Sequence, residues 1–159
     1  MDRFLSQFVL KLDAKRRVSI PAPYRALLAR EKLDGLYCFL SPDRPSLDAG
    51  GQALLSEIEQ VIEGCPPLSD EREQISTALY GTSEFLRLDG EGRVTLTDTL
   101  QDHAGIMDAV AFIGLGHKFQ IWAPDRLSAQ LSEATGKLRT LRRRLGSPRP
   151  GRVQGARER

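Results

Sequence analysis

The chain has 159 residues, 40% of them apolar and 28% charged, with 23 Lys/Arg against 21 Asp/Glu, the profile of a globular protein long enough to bury a core. No run approaches the roughly 18 apolar residues of a membrane span, and the N-terminal MDRFLSQFVLKLD lacks the small-residue cleavage site of a secretory signal, so a cytoplasmic location is the default expectation. Cys38, Cys65, His103 and His117 are too scattered for a zinc or redox motif, so neither a metal nor a cofactor is expected.

In chain order, FVLKL reads as a strand that runs into a turn led by Asp13, and RVSI leaves it with period-2 alternation. Pro21 is placed like an N1 proline, opening a short helix with Tyr24, Leu27 and Leu28 on one face. LYCFL follows as a strand in which Cys38 is a small core hydrophobe. The stretch PSLDAGGQALL through GTSEF reads as two helices. One carries Leu54, Leu55, Ile58, Val61 and Ile62 and ends at Gly64; the other is capped by Ser69 or Asp70 and carries Ile75, Leu79 and Tyr80. EFLRL and RVTL make a second hairpin, Thr97 caps a helix through His103, and Gly105 stops it. AVAFIGL and KFQIWA are strands, with Phe119, Ile121 and Trp122 read as core and His117 as a turn residue. After Pro124-Asp125 a last helix carries Leu127, Leu131, Leu138, Leu141 and Leu145. Gly136 weakens its middle by about 1 kcal/mol relative to Ala. From Gly146 onward the segment has too few apolar residues to fold and is expected to be disordered.

The chain repeats itself. LDAKRRVSIP at residues 12–21 returns as LDGEGRVTLT at 88–97, so Asp13 corresponds to Asp89 and Arg17 to Arg93, with matching apolar positions at Val18/Val94 and Ile20/Leu96. LYCFLSPDR similarly resembles KFQIWAPDR at a larger spacing, which suggests extra residues in the second copy near GIMDAVAFIGLG. In both turns the Asp carboxylate can accept from backbone N–H groups just ahead. Gly90 and Gly92 supply easy positive φ in the second. The first has Ala14 and Arg16 there, so either its backbone is more restricted or Arg16 tolerates the conformation.

Charge is segregated. Residues 1–30 hold seven Lys/Arg against two acids, 31–136 seven against eighteen, and 137–159 nine against one. Two basic ends on an acidic middle suggest a surface for a polyanion.

A strand, a D-x-x-x-R turn, a strand and a short helix, occurring twice, resemble the MraZ family of bacterial transcriptional regulators. The resemblance rests on Asp13–Arg17 followed by VSIPAPYR, on Asp89–Arg93 followed by VTLTDTLQDHAGI, and on YGTSEFLRLD and VAFIGLGHKFQIW; it covers roughly residues 4–130. It implies an α+β fold made of two AbrB-like swapped-hairpin β-barrel repeats that form a pseudo-dimer within one chain. The boundaries would be a first repeat at 4–50, a helical linker at 51–82, a second repeat at 83–126, a C-terminal helix at 127–145 and a basic tail at 146–159. It also implies a ring-shaped homo-oligomer, association with the nucleoid, and repression at repeated DNA sites upstream of the protein's own division and cell wall operon. The sequence departs from the family pattern where Arg16 replaces the usual Gly, where Thr97 replaces the usual Pro, and in the basic extension after Leu145.

On this reading Arg17 and Arg93 are the first DNA contacts, since a guanidinium can pair bidentately with guanine or phosphate. Lys15 and Arg16 contact phosphate and position the tip, and Arg3, Lys11 and Arg87 are flanking contacts. Asp13 and Asp89 hold the turns. The first tip, with three cations in a row, is expected to dominate the second, where Glu91 sits beside the arginine. Arg139, Arg142, Arg143 and Arg144 read equally as a solvated helix end or as non-specific DNA affinity. The alternative function is a ring-forming protein-interaction module with secondary DNA binding. No nucleotide-binding glycine loop, metal spacing or nucleophile elbow suggests an enzyme.

Overall fold

The computed structural model describes residues 2–146. Residues through Pro124 form one unit and those from Asp125 another. The order of elements is β1 (Gln7–Lys11), β2 (Arg17–Ser19), α1 (Ala22–Arg30), β3 (Gly35–Leu40), β4 (Leu47–Gly50), α2 (Gln52–Glu63), α3 (Asp70–Leu79), β5 (Glu84–Arg87), β6 (Arg93–Thr95), α4 (Asp98–Ala104), β7 (Ala109–Gly114), β8 (Phe119–Trp122) and α5 (Pro124–Leu145). The described residues make a mixed α+β arrangement with antiparallel strands and five helices. Strands β1-β7-β8-β4-β3-β5 form one sheet, and β2 with β6 forms a second.

The pairing crosses between the two predicted copies. β1 lies against β7, with Lys11 opposite Ala109, and β5 against β3, with Arg87 opposite Gly35. β2 pairs with β6 so that Val18 faces Val94, and β4 pairs with β8 so that Asp48 faces Gln120. In each pair the central partners hold equivalent places in the two copies, so one approximate two-fold axis relates both ladders. Neither copy completes its own sheet.

Burial follows the predicted periodicity. Val18, Ile20, Val94 and Leu96 alternate inward from the short strands and pack with Leu28, Leu36, Leu100, Val110, Phe112, Phe119 and Ile121 in the main core. Cys38 is fully buried there, and burial pushes its thiol up. Tyr24 sits at the centre of an aromatic group, with ring centroids 5.2 Å from Phe4, 5.5 Å from Phe8 and 4.7 Å from Phe119. Its hydroxyl donates toward the carbonyls of Leu5 and Ser6, each at 2.9 Å. A second cluster of Phe39, Leu54, Ile58 and Ile62, with Ile75 and Leu79 against it, seats α2 and α3.

The caps agree with the residues that offer them. Thr97 Oγ1 accepts from the Leu100 N–H at 3.5 Å, Gly105 adopts φ 66°, and Ser69 Oγ accepts from the Arg72 N–H at 3.1 Å. Among the described residues, no helix is long and apolar enough to cross a membrane, and no group of His, Cys, Asp or Glu is placed to hold a metal ion. The predicted tail lies outside the described residues apart from Gly146.

Three expectations need correction. Pro21 is the N-cap of α1 and not its N1 residue, because its ψ of 137° is still extended. LDAG, read as part of a helical stretch, is the buried strand β4. Asp48 has a poor strand propensity, but its carboxylate accepts from Gln120 Nε2 at 2.8 Å and lies 3.5 Å from Lys118 Nζ, which satisfies it inside the sheet. Finally, the two Pro-Asp-Arg triplets are not equivalent. Pro42–Arg44 lies in the loop between β3 and β4, whereas Pro124–Arg126 opens α5. In the sheet β3 occupies the place of β7 and β4 that of β8, so the second copy is the shorter one beyond its helix.

Candidate functional site: the paired hairpin tips

Each hairpin turn is built by its aspartate. Asp13 Oδ1 accepts from the N–H groups of Lys15 at 2.9 Å and Arg17 at 2.8 Å, and Oδ2 accepts from Arg17 Nε at 2.8 Å. The second turn repeats the pattern: Asp89 Oδ1 accepts from the N–H groups of Glu91 at 2.8 Å and Arg93 at 2.9 Å, and Oδ2 from Arg93 Nε at 2.9 Å. The D-x-x-x-R spacing is therefore a geometric need. One carboxylate closes the turn with one oxygen and fixes the guanidinium with the other. The Arg17 N–H holds the Asp13 carboxyl below its ordinary value of 3.8, and the Arg93 N–H does the same for Asp89.

The two turns meet across the approximate axis. The Ile20 N–H donates to the Gly92 carbonyl and the Leu96 N–H to the Arg16 carbonyl, both at 3.0 Å. Arg93 Nη1 lies 3.9 Å from Asp13 Oδ2. Residues 76 apart in the chain thus stand side by side, with Arg17 and Arg93 both half-buried.

The tips are unequal. Arg17 pairs with Asp13. Arg93 pairs with Asp89, lies 3.6 Å from Glu91 and also reaches Asp13; these carboxylates, Asp89 first, raise its pKa. Lys15 is exposed at the apex of the first turn. Arg16 has φ 63°, matching φ 78° at Gly92, so it tolerates the conformation that glycine supplies in the second turn. Its Nε donates to Gln101 Oε1 at 2.9 Å and its Nη2 donates to the Met107 carbonyl, which ties the tip to the end of α4.

Lys11 and Arg87 are exposed at the strand ends that lead into the two turns. Arg87 pairs with Asp34 and lies 5.8 Å over the Phe85 ring. Arg3 is exposed before β1, at the end of that strand remote from the turn, and donates to the Asp2 carbonyl at 3.1 Å.

The family model described as "MraZ protein, putative antitoxin-like" matches residues 79–145. A protein of Xanthobacter autotrophicus named transcriptional regulator MraZ is 59% identical over 147 residues, which span 92% of this chain and 94% of that protein. The chain belongs to the MraZ family. An MraZ of Methylocella silvestris is 52% identical over 164 residues, covering 99% of this chain and all of that protein. A more distant MraZ, from Rickettsia bellii, is 40% identical over 135 residues, covering 84% and 90% of the two. The MraZ relatives are named as regulators and not as enzymes.

Two side chains of this MraZ-family chain belong to the tips although the sequence reading passed over them. Arg25, on α1, lies against the second turn and donates from Nη1 to the Ile20 carbonyl at 2.7 Å. A Cβ added to Gly92 would stand 2.7 Å from Arg25 Cδ. Gln101, on α4, holds Arg16 and donates to the Leu96 carbonyl at 2.6 Å. The repeat spacing carried the signal, because Arg25 maps onto Gln101 as Gly92 maps onto Arg16.

Proposed function

We propose that this chain is a transcriptional regulator that binds double-stranded DNA through its paired hairpin tips and represses its own division and cell wall operon at repeated upstream sites. The observation that carries the reading is the juxtaposition of two D-x-x-x-R turns built alike, each holding one guanidinium on its own aspartate and within reach of the other across an approximate two-fold axis. A two-stranded ribbon fits a major groove, and cations at its turn release counterions from the phosphates they neutralise. The name that the relatives carry supports the same role.

In this reading the strand exchange between β1–β7 and β5–β3 is a swapped-hairpin barrel of two AbrB-like units, and copies of the chain assemble into a ring that presents several tip pairs. The protein works in the cytoplasm, on the nucleoid. Arg17 and Arg93 make the first contacts, Lys15 and Arg16 add phosphate neutralisation, and Lys11, Arg87 and Arg3 flank them. Asp13 and Asp89 set the turns. The first tip dominates because Arg17 faces one carboxylate, whereas three surround Arg93.

The test is fluorescence anisotropy on a duplex from the chain's own upstream region, titrated with salt, for the wild type, Arg17→Ala, Arg93→Ala and the double variant. Arg17→Ala should lose more affinity than Arg93→Ala, and each lost phosphate contact should lower the slope of log affinity against log salt by about 0.9. A flat salt dependence of the wild type would defeat the reading in favour of a protein-interaction module. Binding that survives Arg17→Ala but not Arg93→Ala would reverse the order of the tips.

A further inference from the structure

The junction between each tip and its neighbouring helix is filled by one guanidinium, which reaches it from opposite directions in the two halves. At the first tip it comes from the turn: Arg16, at φ 63°, extends to α4, where Gln101 Oε1 accepts from Nε at 2.9 Å and Gln101 Nε2 donates to the Leu96 carbonyl at 2.6 Å. At the second tip the turn residue is Gly92, at φ 78°, and the guanidinium comes from the helix. Arg25 donates to the Ile20 carbonyl at 2.7 Å, and its Cδ, Nε and Nη1 lie 2.7, 2.9 and 2.9 Å from the place a Gly92 Cβ would take. The carbonyls that receive these bonds, Leu96 and Ile20, are themselves equivalent in the repeat. An arginine at both positions of one junction would collide, and glycine with glutamine would leave the junction without a cation.

We propose that Arg25 is a positioning residue of the second tip and its second cation, in the place Arg16 fills at the first. Gly92/Arg25 and Arg16/Gln101 are then interchangeable solutions of one junction. This rests on the reading that the tips meet DNA, and it makes the second tip less poor in charge than its sequence suggests. Arg25 stands at the turn that carries Arg93, so its charge partly offsets Glu91.

The experiment exchanges one solution for the other with Arg25→Gln, Gly92→Arg and the double variant. Melting temperature and salt-titrated DNA binding are measured for all three. A glutamine at 25 can still donate to the Ile20 carbonyl, as Gln101 does to Leu96, so Arg25→Gln should melt within about 2 °C of the wild type while its salt slope falls by about 0.9. Gly92→Arg alone should melt lower, because Arg25 occupies the space. The double variant should recover both melting temperature and slope. A double variant no more stable than the two single changes predict would overturn the junction, and an unchanged slope in Arg25→Gln would overturn the cationic role. If the wild type itself showed no salt-dependent binding, the DNA reading would fail, and the recovery of stability in the double variant would still decide the junction.

Discussion

Tyr24→Phe isolates one hydroxyl in the aromatic centre of the core. The ring itself is buried, and its contacts with Phe4, Phe8, Phe112 and Phe119 survive the change. What disappears is an O–H that stands 2.9 Å from each of two carbonyls, Leu5 and Ser6. One proton serves these acceptors in turn, so the loss is that of a single bond, about 1 kcal/mol net. The Ser6 carbonyl keeps its bond from the Gly114 N–H at 2.9 Å, and Leu5 is 47% exposed, so water can replace the donor at its carbonyl. Both facts hold the cost near the low end, at about 0.5 to 1 kcal/mol, or about 1 to 4 °C of melting temperature in a chain of this size. Tyr24→Ala, which also empties the centre of the cluster, should cost about 3 to 5 kcal/mol. Thermal and urea melts of the three proteins measure this. Burial pushes the Tyr24 hydroxyl up to about 12, so ionisation favours the unfolded chain, and the wild type should lose its advantage over Tyr24→Phe as pH rises from 10 toward 12. A Phe variant that melts with the wild type, or as low as the Ala variant, would refute the assignment.

The acid limb of stability should depend on the two turns. Asp13 and Asp89 have folded pKa values below 3.8, so their contribution is complete above that pH and disappears as the pH falls through the folded values. Melts of the wild type and of Asp13→Asn/Asp89→Asn should therefore run parallel above about pH 5 and converge below it; parallel curves throughout would contradict the turn geometry. Thr97→Pro should raise stability by about 0.5 to 1 kcal/mol. The Thr97 φ of −72° already suits proline, the cap bond that would be lost is long at 3.5 Å, and Pro21 holds the equivalent place without a side-chain cap. A fall of that size in a urea melt would show that the Thr97 bonds to the Leu100 N–H and to the Glu84 carboxylate, the latter at 3.1 Å, together outweigh the restriction.

Local structure was legible wherever one residue dictates one conformation. Asp13 and Asp89 announced their turns, Thr97, Ser69 and Gly105 their caps, and the stripe from Leu54 to Ile62 its helix, because each signal acts within a few residues. What failed to show were features whose cause lies far along the chain. Asp48 is acceptable in a central strand only because Gln120 and Lys118 meet it there. The Pro-Asp-Arg triplets looked like a repeat, yet pairing partners fix strand identity and no pairing involves them. In the tips the reading found the cations in the turns and missed Arg25, which belongs to the second turn although it follows the first. From its neighbours Arg16 reads only as a phosphate contact at a turn position that favours glycine; the Gln101 that holds it lies 85 residues away.

The crossed ladders also set the order in which the protein can be made. Of the strands, β1 precedes all the others, yet its partner β7 is the last but one to be made, and one edge of β3 must wait for β5. Until then the nascent polypeptide carries unpaired strand edges flanked by apolar side chains, the condition under which chains stick to one another. The sheet should therefore close only after β7 has been made, with helices α1 to α3 forming ahead of the sheet that will hold them.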